Sequence, residues 1–372
     1  SDRNFSVEKG YEHALTEFFG QALLMRDFDE HRFHRRILQS AFKTPAMRGY
    51  VDTMNPILAK GIDSWESDEF YFYHNIKELL LNMTNKVFYG VDEGSAETHK
   101  LSQAFLNCTH GQEGLIRLNF PGFKYRKGMQ GKQFLRAYIA KLIPACREDS
   151  GSSFLSYMAK EKDENGELFS DDVLIDHAGF LLFAAHDTTT STPTHMMYYL
   201  ARYPEWQERL REECAGVSIG ELSYEDLASL PRLEWVFNES QRLHPSVQLM
   251  VRRNIREVEL GGVHVPANTM IYQMPSFSTR LAGYWTNPDN FDPERFSAQR
   301  AEHKSHPFAF MPFGGGAHKC IGMHFGMMQS KLFMHQFLKR YRFRLPANYQ
   351  PVFRTVPLPK LEDNLPLIIE RL

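Results

Sequence analysis

Cysteine is scarce in this chain: Cys108, Cys146, Cys214 and Cys320 are its four in 372 residues, with no CxxC pair among them. That spacing argues against a disulfide framework and a structural zinc site, and it suits a reducing compartment. No sign of charge dominates. Forty-three Lys plus Arg stand against 45 Asp plus Glu, a formal net charge of −2, so no global field draws the chain to nucleic acid or to an anionic bilayer. Repeats, low-complexity tracts and long Gly/Ser linkers are missing, which leads us to expect a single domain over residues 1–372. The opening Ser1-Asp2-Arg3-Asn4 is polar and shows neither a signal peptide nor a membrane anchor. No flavin or iron–sulfur motif is present.

What is there reads as a folded, mainly helical protein, with 42% hydrophobic and 24% charged residues. Helical patterns are expected over His31 to Phe42, from Thr44-Pro45 onward, over Ile76 to Phe88 and over Leu233 to His244, with a short aromatic strand from Phe70 to Tyr73. Ser170, followed by Asp171 and Asp172, is an N-cap with acids in the first turn. The apolar pattern then runs to about Ala201, a helix of roughly 30 residues and about 45 Å. Pro193 lies inside it and should kink it. Small sheets follow: Val258 to Leu260, a Gly261-Gly262 turn, then Val263 to Val265. A last long helix reaches about Arg340.

The chemistry concentrates in Phe313-Gly314-Gly315-Gly316-Ala317-His318-Lys319-Cys320-Ile321-Gly322, a glycine-rich loop that brings a cysteine to the start of a helix. Glycines allow positive φ and a close approach to a flat ligand. Amide groups at a helix N-terminus favour thiolate over thiol, and thiolate is the metal-binding form. From the chain's own composition, Phe-x-x-Gly-x-x-x-Cys-x-Gly is expected by chance about once in a thousand such chains.

This segment resembles the haem-binding loop of the cytochrome P-450 superfamily, whose thiolate ligand pushes electron density to favour O–O cleavage. The resemblance implies a cytochrome P-450 fold, mainly α with small β-sheets, holding haem b between the long central helix and the helix after the cysteine loop. Cys320 would be the axial ligand of the iron, Phe313 would pack near the sulfur, and His318 would meet a propionate, with Gly314 and Gly322 shaping the loop. It also implies that several dozen residues preceding Ser1 in the family are missing, so location stays cytoplasmic or membrane-associated facing the cytosol.

Three further motifs occur in family order. Glu239-Ser240-Gln241-Arg242 is similar to the family's Glu-x-x-Arg, with both charged side chains on one helix face, and Arg295 in Pro293-Glu294-Arg295-Phe296 would complete a buried structural cluster. Ala184-Ala185-His186-Asp187-Thr188-Thr189 is similar to the oxygen-activating stretch. There Thr188 would hydrogen-bond dioxygen and Asp187 would relay protons, while Ala185 stands where glycine is common. Propionates need cations, and His31, Arg35 and Arg252 resemble the family's contacts.

By the same resemblance, an apolar substrate would lie against Phe180, Phe183, Ala184, Val247, Leu249, Met250, Val251 and Leu358. No acid or base among them would anchor a charge, which suggests a sterol, terpenoid, retinoid or fatty acid. Electrons from NAD(P)H would arrive through a ferredoxin, flavodoxin or flavoprotein reductase docking near Arg32, Arg36 and Lys319, with Lys331 and Lys339 nearby. The leading expectation is a monooxygenase. A peroxygenase or isomerase of the same fold is the alternative, disfavoured by the Asp187-Thr188 pair, and a non-catalytic haem or gas-binding protein ranks below both.

Overall fold

The structure, a computed structural model, describes residues 3–65, 70–114, 116–148, 151–217, 221–355 and 358–372. It is mostly helical, and its backbone contacts divide it into two compact units. The first comprises 1–46, 84–184 and 249–273; the second comprises 47–83, 185–248 and 274–372.

In the first unit, Asp27 caps the helix Phe28–Leu38, which passes into a short 3-10 turn at Gln39–Phe42. The helix thus starts three residues before the expected His31, with Asp27 at the cap position and its carboxylate turned to Ser6 and Val7. Helices Ala96–Gln112 and Lys124–Glu148 form a hairpin packed backbone to backbone. A β-carbon at Gly111 would fall 2.6 Å from the Cα of Gly128, and one at Gly131 would fall 2.3 Å from the carbonyl oxygen of Ala104, so glycine is required at the crossing. Phe5–Ser6, Met250–Asn254 and Met270–Gln273 form an antiparallel sheet in which Arg252 faces Ile271. The hairpin Val258–Leu260 with Val263–Val265 has the expected register, and Gly261 and Gly262 adopt φ of 57° and 79°, the double positive φ of a tight two-residue turn.

The second unit is built on an aromatic core. Trp65, Phe70, Phe72, Phe333 and Phe337 meet ring to ring at centroid distances of 5.3 to 6.4 Å. Phe70–Tyr71 is a strand, but Phe72 and Tyr73 open the helix Phe72–Tyr89 instead of extending it. Phe70 and Phe72 both reach the same core, one from a strand end and one from a helix start, so an aromatic run alone does not separate the two. The helix Pro231–Leu243 places proline in its first turn, where no N–H is needed. The final helix Met323–Arg340 is buried along most of its length, which gives even Lys331 and Gln336 buried positions.

The long helix runs from Asp171 to Arg202, 32 residues, and contributes to both units, its residues up to Ala184 to the first and those from Ala185 on to the second. Leu174 N–H bonds the carbonyl of Ser170 at 3.1 Å, as expected for a cap at that residue. Pro193 sits within it, amid hydroxyl side chains that return hydrogen bonds to the backbone: Thr190 to His186 at 2.8 Å, Thr192 to Thr188 at 3.1 Å and Thr194 to Thr190 at 2.8 Å.

Candidate functional site

The four thiols divide sharply. Cys108, Cys146 and Cys214 are buried, and burial pushes the thiols of Cys108 and Cys214 up to about 12. Cys320 is exposed, in the second unit. Its loop is closed on itself: Cys320 N–H donates to the carbonyl of Phe313 at 2.8 Å, and Gly314 and Gly316 take φ of 70° and 66° to make the turn. Phe313 stacks on Phe237 at 6.1 Å with planes 6° apart, which anchors the loop on the helix Pro231–Leu243. His318 is half-buried, in a 3-10 turn over Gly316–His318.

One detail differs from the expectation. Cys320 is not in the first turn of a helix. The helix begins at Met323 with Gly322 as its cap, and Gly322 accepts the N–H of Gly326 at 2.9 Å. The turn at Ile321 and Gly322 intervenes between the sulfur-bearing residue and the helix. The last helix then approaches the long one closely: a β-carbon on Gly326 would lie 3.7 Å from the methyl of Thr189.

On the long helix, Ala185, Asp187 and Thr188 are half-buried whereas His186, Thr189 and Thr190 are buried. Thr188 Oγ1 donates to the carbonyl of Ala185 at 3.4 Å, a long bond. Asp187 is paired: Lys77 Nζ, from the helix Phe72–Tyr89, donates to its Oδ1 at 2.9 Å, with side chains 27% and 12% exposed. His186 Nε2 lies 3.9 Å from the same oxygen, and burial, with Lys77 adding to it against the pull of Asp187, lowers its pKa to about 4, so it is neutral near pH 7. Lys77 escaped the sequence reading because 110 residues separate it from Asp187.

Ser246 was also missed. Its hydroxyl meets the Thr188 carbonyl at 3.1 Å and the Thr192 hydroxyl at 2.9 Å, and its N–H donates to Gln241 Oε1 at 3.0 Å. The turn after Pro245 is thereby fixed to the long helix at the residue of interest, with Val247 next in the chain. Ser191 Oγ donates to the carbonyl of Pro359 at 2.7 Å, which brings the half-buried Leu358 to the same helix.

The first unit holds the remaining candidates. His31 is buried, and its pKa is lowered to about 4 by burial first, then by Arg35 and Arg252, against Asp27. Two guanidiniums and one carboxylate around a buried imidazole leave that spot rich in positive charge. Asp27 is itself engaged by Val7 N–H at 2.8 Å and the Ser6 hydroxyl. Phe180 is buried and Phe183 half-buried, and Phe19 packs on both, at 5.9 and 4.4 Å. Met250 and Val251 are half-buried, and Leu249 is exposed.

Glu239, Arg242 and Arg295 are fully buried. Arg242 forks onto Glu239 at 2.7 and 2.8 Å, and Arg295 Nε reaches the same carboxylate at 3.2 Å. A second acid completes the balance: Arg295 Nη1 lies 3.0 Å from Glu302. Five backbone carbonyls, of Thr279, Thr286, Asn287, Pro288 and Asn290, take further guanidinium N–H groups.

The proposed basic patch needs correction at Lys331. Its ammonium is buried and bonded to Glu234 at 2.8 Å and the carbonyl of Leu227 at 2.9 Å, because its helix is enclosed on nearly all sides. Arg32 pairs with Asp29 at 3.2 Å and Arg36 with Glu164, all exposed; Lys319 is exposed. Among the described residues, no group of three or more His, Cys, Asp or Glu side chains could hold a metal ion, and no helix is long and apolar enough to cross a membrane. The chemistry of the donors present fits a porphyrin: the exposed thiol of Cys320 on its glycine loop would suit the iron, and the guanidinium-rich surroundings of His31 would suit carboxylates.

The family model for cytochrome P450 matches residues 2–362. A relative named putative cytochrome P450 136, from Mycobacterium tuberculosis, is 38% identical over 99% of this chain and 76% of its own length. Cyclooctat-9-en-7-ol 5-monooxygenase of Streptomyces melanosporofaciens is 28% identical over 88% of this chain and 74% of its own. Among solved structures, the retinoic acid bound cyanobacterial CYP120A1 superposes with a TM-score of 0.90 at 26% identity, covering 97% of this chain and 83% of that one.

Proposed function

The chain belongs to the cytochrome P450 family and is a haem monooxygenase, and from that premise we propose that it hydroxylates a sizeable apolar molecule, with Cys320 as the thiolate ligand. The observation that carries this reading is the exposure of Cys320 alone among four thiols, in a loop closed by its own N–H on Phe313. When bound, the haem supplies the redox chemistry that divides dioxygen between substrate and water, using two electrons from outside the chain.

The chain's own residues do the rest. Phe313, Gly314 and Gly322 would shape the loop around the sulfur, His31, Arg35, Arg252 and His318 would receive the propionates, and Ala184 would line the porphyrin site. The Thr188 hydroxyl would donate a hydrogen bond there, and Asp187, whose carboxylate Lys77 holds, would relay protons to it. Ser246 keeps the Thr188 backbone in place.

Phe180, Phe183, Ala184, Val247, Leu249, Met250, Val251 and Leu358 offer the substrate apolar contact only. Among sterol, terpenoid, retinoid and fatty acid, the isoprenoid classes are favoured by the names of two relatives, one for a cyclic terpene alcohol and one solved with retinoic acid. Electrons come from NAD(P)H through a ferredoxin, flavodoxin or flavoprotein reductase, docking near Arg32, Arg36 and Lys319. The intact Asp187-Thr188 pair sets this reading above a peroxygenase or isomerase.

The test is the absorption spectrum of the dithionite-reduced protein with and without carbon monoxide, beside Cys320→Ala. A strongly red-shifted Soret band that the variant lacks supports the ligation, and spin-state titrations with isoprenoids and fatty acids then rank substrates. A band typical of histidine ligation, or one that survives in the variant, defeats it.

A further inference from the structure

Pro193 has no N–H to give the carbonyl of Thr189, four residues back, so the long helix lacks one of its own hydrogen bonds just beyond Thr188. Two serines act at that turn. Ser246, from the turn after Pro245, and Thr192 both bring a hydroxyl to the Thr188 carbonyl, each at 3.1 Å, and the two hydroxyls lie 2.9 Å from one another. Each carries one proton, so one of the two gives to the carbonyl and the other to its fellow. Ser246 is also held from behind, its N–H donating to Gln241 Oε1 at 3.0 Å. Ser191, one residue before Thr192, donates to the carbonyl of Pro359 at 2.7 Å.

Ser191, Thr192, Gln241, Ser246 and Pro359 are buried, and all belong to the second unit. Their neighbours in the chain are apolar: Val247 follows Ser246, and Leu358 precedes Pro359. Apolar contact has no preferred direction, so a wall made of Val247 and Leu358 alone could slide over the helix, whereas a hydrogen bond fixes distance and angle together. Both segments are tied to residues 188, 191 and 192, little more than one helical turn, and that turn also carries the Thr188 hydroxyl.

We propose that Ser191 and Ser246 are specificity-determining positioning residues. Neither touches the substrate. Ser246 sets the place of Val247 and Ser191 that of Leu358 relative to Thr188, and those two placements decide which apolar molecules fit and which of their atoms is presented for oxidation. Thr192 and Gln241 serve Ser246, as members of the same knot of hydrogen bonds. Small errors of placement matter at such a site: a shift of about 1 Å caused from outside the chemistry can cost about a hundredfold in rate. A contact residue is precise only when something behind it locks its position. The proposal rests on the haem-thiolate reading above and adds to it the residues that tune its selectivity.

The experiment is spectral titration of the ferric, haem-loaded protein with two nitrogen ligands of iron: imidazole, which fills little of a pocket, and phenylimidazole, which fills much more. Ser246→Ala, Thr192→Val and Ser191→Ala should each weaken phenylimidazole at least about fivefold relative to imidazole, whose own affinity should stay within about twofold, because a wall no longer held in place must be ordered by the ligand that meets it. Ser246 and Thr192 share one bond, so combining Ser246→Ala with Thr192→Val should change the ratio no further than either alone, while adding Ser191→Ala should multiply the effect. If one variant fails to fold, the other two decide. An unchanged ratio in all of them overturns the proposal, and so does an equal loss for both ligands, which a merely structural role would give. Wild-type protein without the red-shifted carbon monoxide band fails the haem-thiolate reading itself, which keeps the two failures apart.

Discussion

Lys77 closes on Asp187 at 2.9 Å across 110 residues of sequence, and this pair ties the acid of the proposed proton path to a neighbouring helix. Lys77 is the more exposed of the two, 27% against 12% for their side chains. A carboxylate so held keeps one orientation, and its residual exposure lets protons reach it.

Proton delivery should therefore depend on both partners. Asp187→Asn is expected to slow turnover about a hundredfold, the low end of what a positioned acid–base group contributes. Lys77→Met should lower product formed per NAD(P)H by about tenfold and change the pH profile, and Lys77→Arg should restore most of it. The check is the ratio of product to NAD(P)H consumed, with the solvent isotope effect. A Lys77→Met enzyme with wild-type coupling would make the pair structural only.

Around Glu239 the expected loss is one of stability. Glu239→Gln leaves Arg242 with carbonyl partners only, so unfolding free energy should fall by about 3 to 5 kcal/mol. Arg295 keeps Glu302, and Glu302→Gln alone should cost about 1 to 2 kcal/mol. The double variant strands both guanidiniums and should lose more than the sum. Urea unfolding of the four proteins measures the cycle.

Much of this was legible in the sequence where the chemistry is local. The Cys320 loop, the tight Gly261-Gly262 turn and the i,i+3 pair of Glu239 and Arg242 each sit within ten residues, so spacing alone carries them. Lys77, Ser246 and Glu302 are long-range or unpatterned partners, and a common residue type without a spacing gives no signal before folding. Lys331 shows the reverse error: a lysine on a helix reads as surface, and only the enclosure of its helix turns it inward onto Glu234. The aromatic run from Phe70 to Tyr73 reads as one strand, but an aromatic residue suits a strand end and a helix start alike, and the helix begins at Phe72.

Acid should unfold the protein through its buried histidines. Burial lowers His186 and His195 to about 4, and also holds His177 and His244 well below the usual imidazole range. Such groups take up protons on unfolding between the unfolded value near 6.5 and the folded one, so stability falls as pH drops through that window and is fully present above it. His186 and His195 should each remove about 3 kcal/mol by pH 4. His195 stacks on His244 at 4.6 Å, and His195→Phe, which can keep the stack, should flatten the dependence of unfolding free energy by about 1.4 kcal/mol per pH unit in the window. Urea unfolding at several pH values gives the slope, and an unchanged slope would show that His195 is protonated in the folded state.

The thiols offer the most direct reading of the site. In protein stripped of haem, a thiol reagent near pH 8 should modify Cys320 first, because it is exposed while the others are buried. Cys108 and Cys214, raised to about 12, hold so little thiolate at that pH that they should react about a thousandfold more slowly even before burial is counted. Adding haem back should protect Cys320 and leave the slow phases as they were. Mass spectrometry of the labelled peptides distinguishes the sites. Protection of Cys320 by haem, together with loss of rapid labelling in Cys320→Ala, ties the cofactor to that sulfur without any turnover. Rapid labelling of Cys320 that haem does not slow would mean the iron takes its ligand elsewhere.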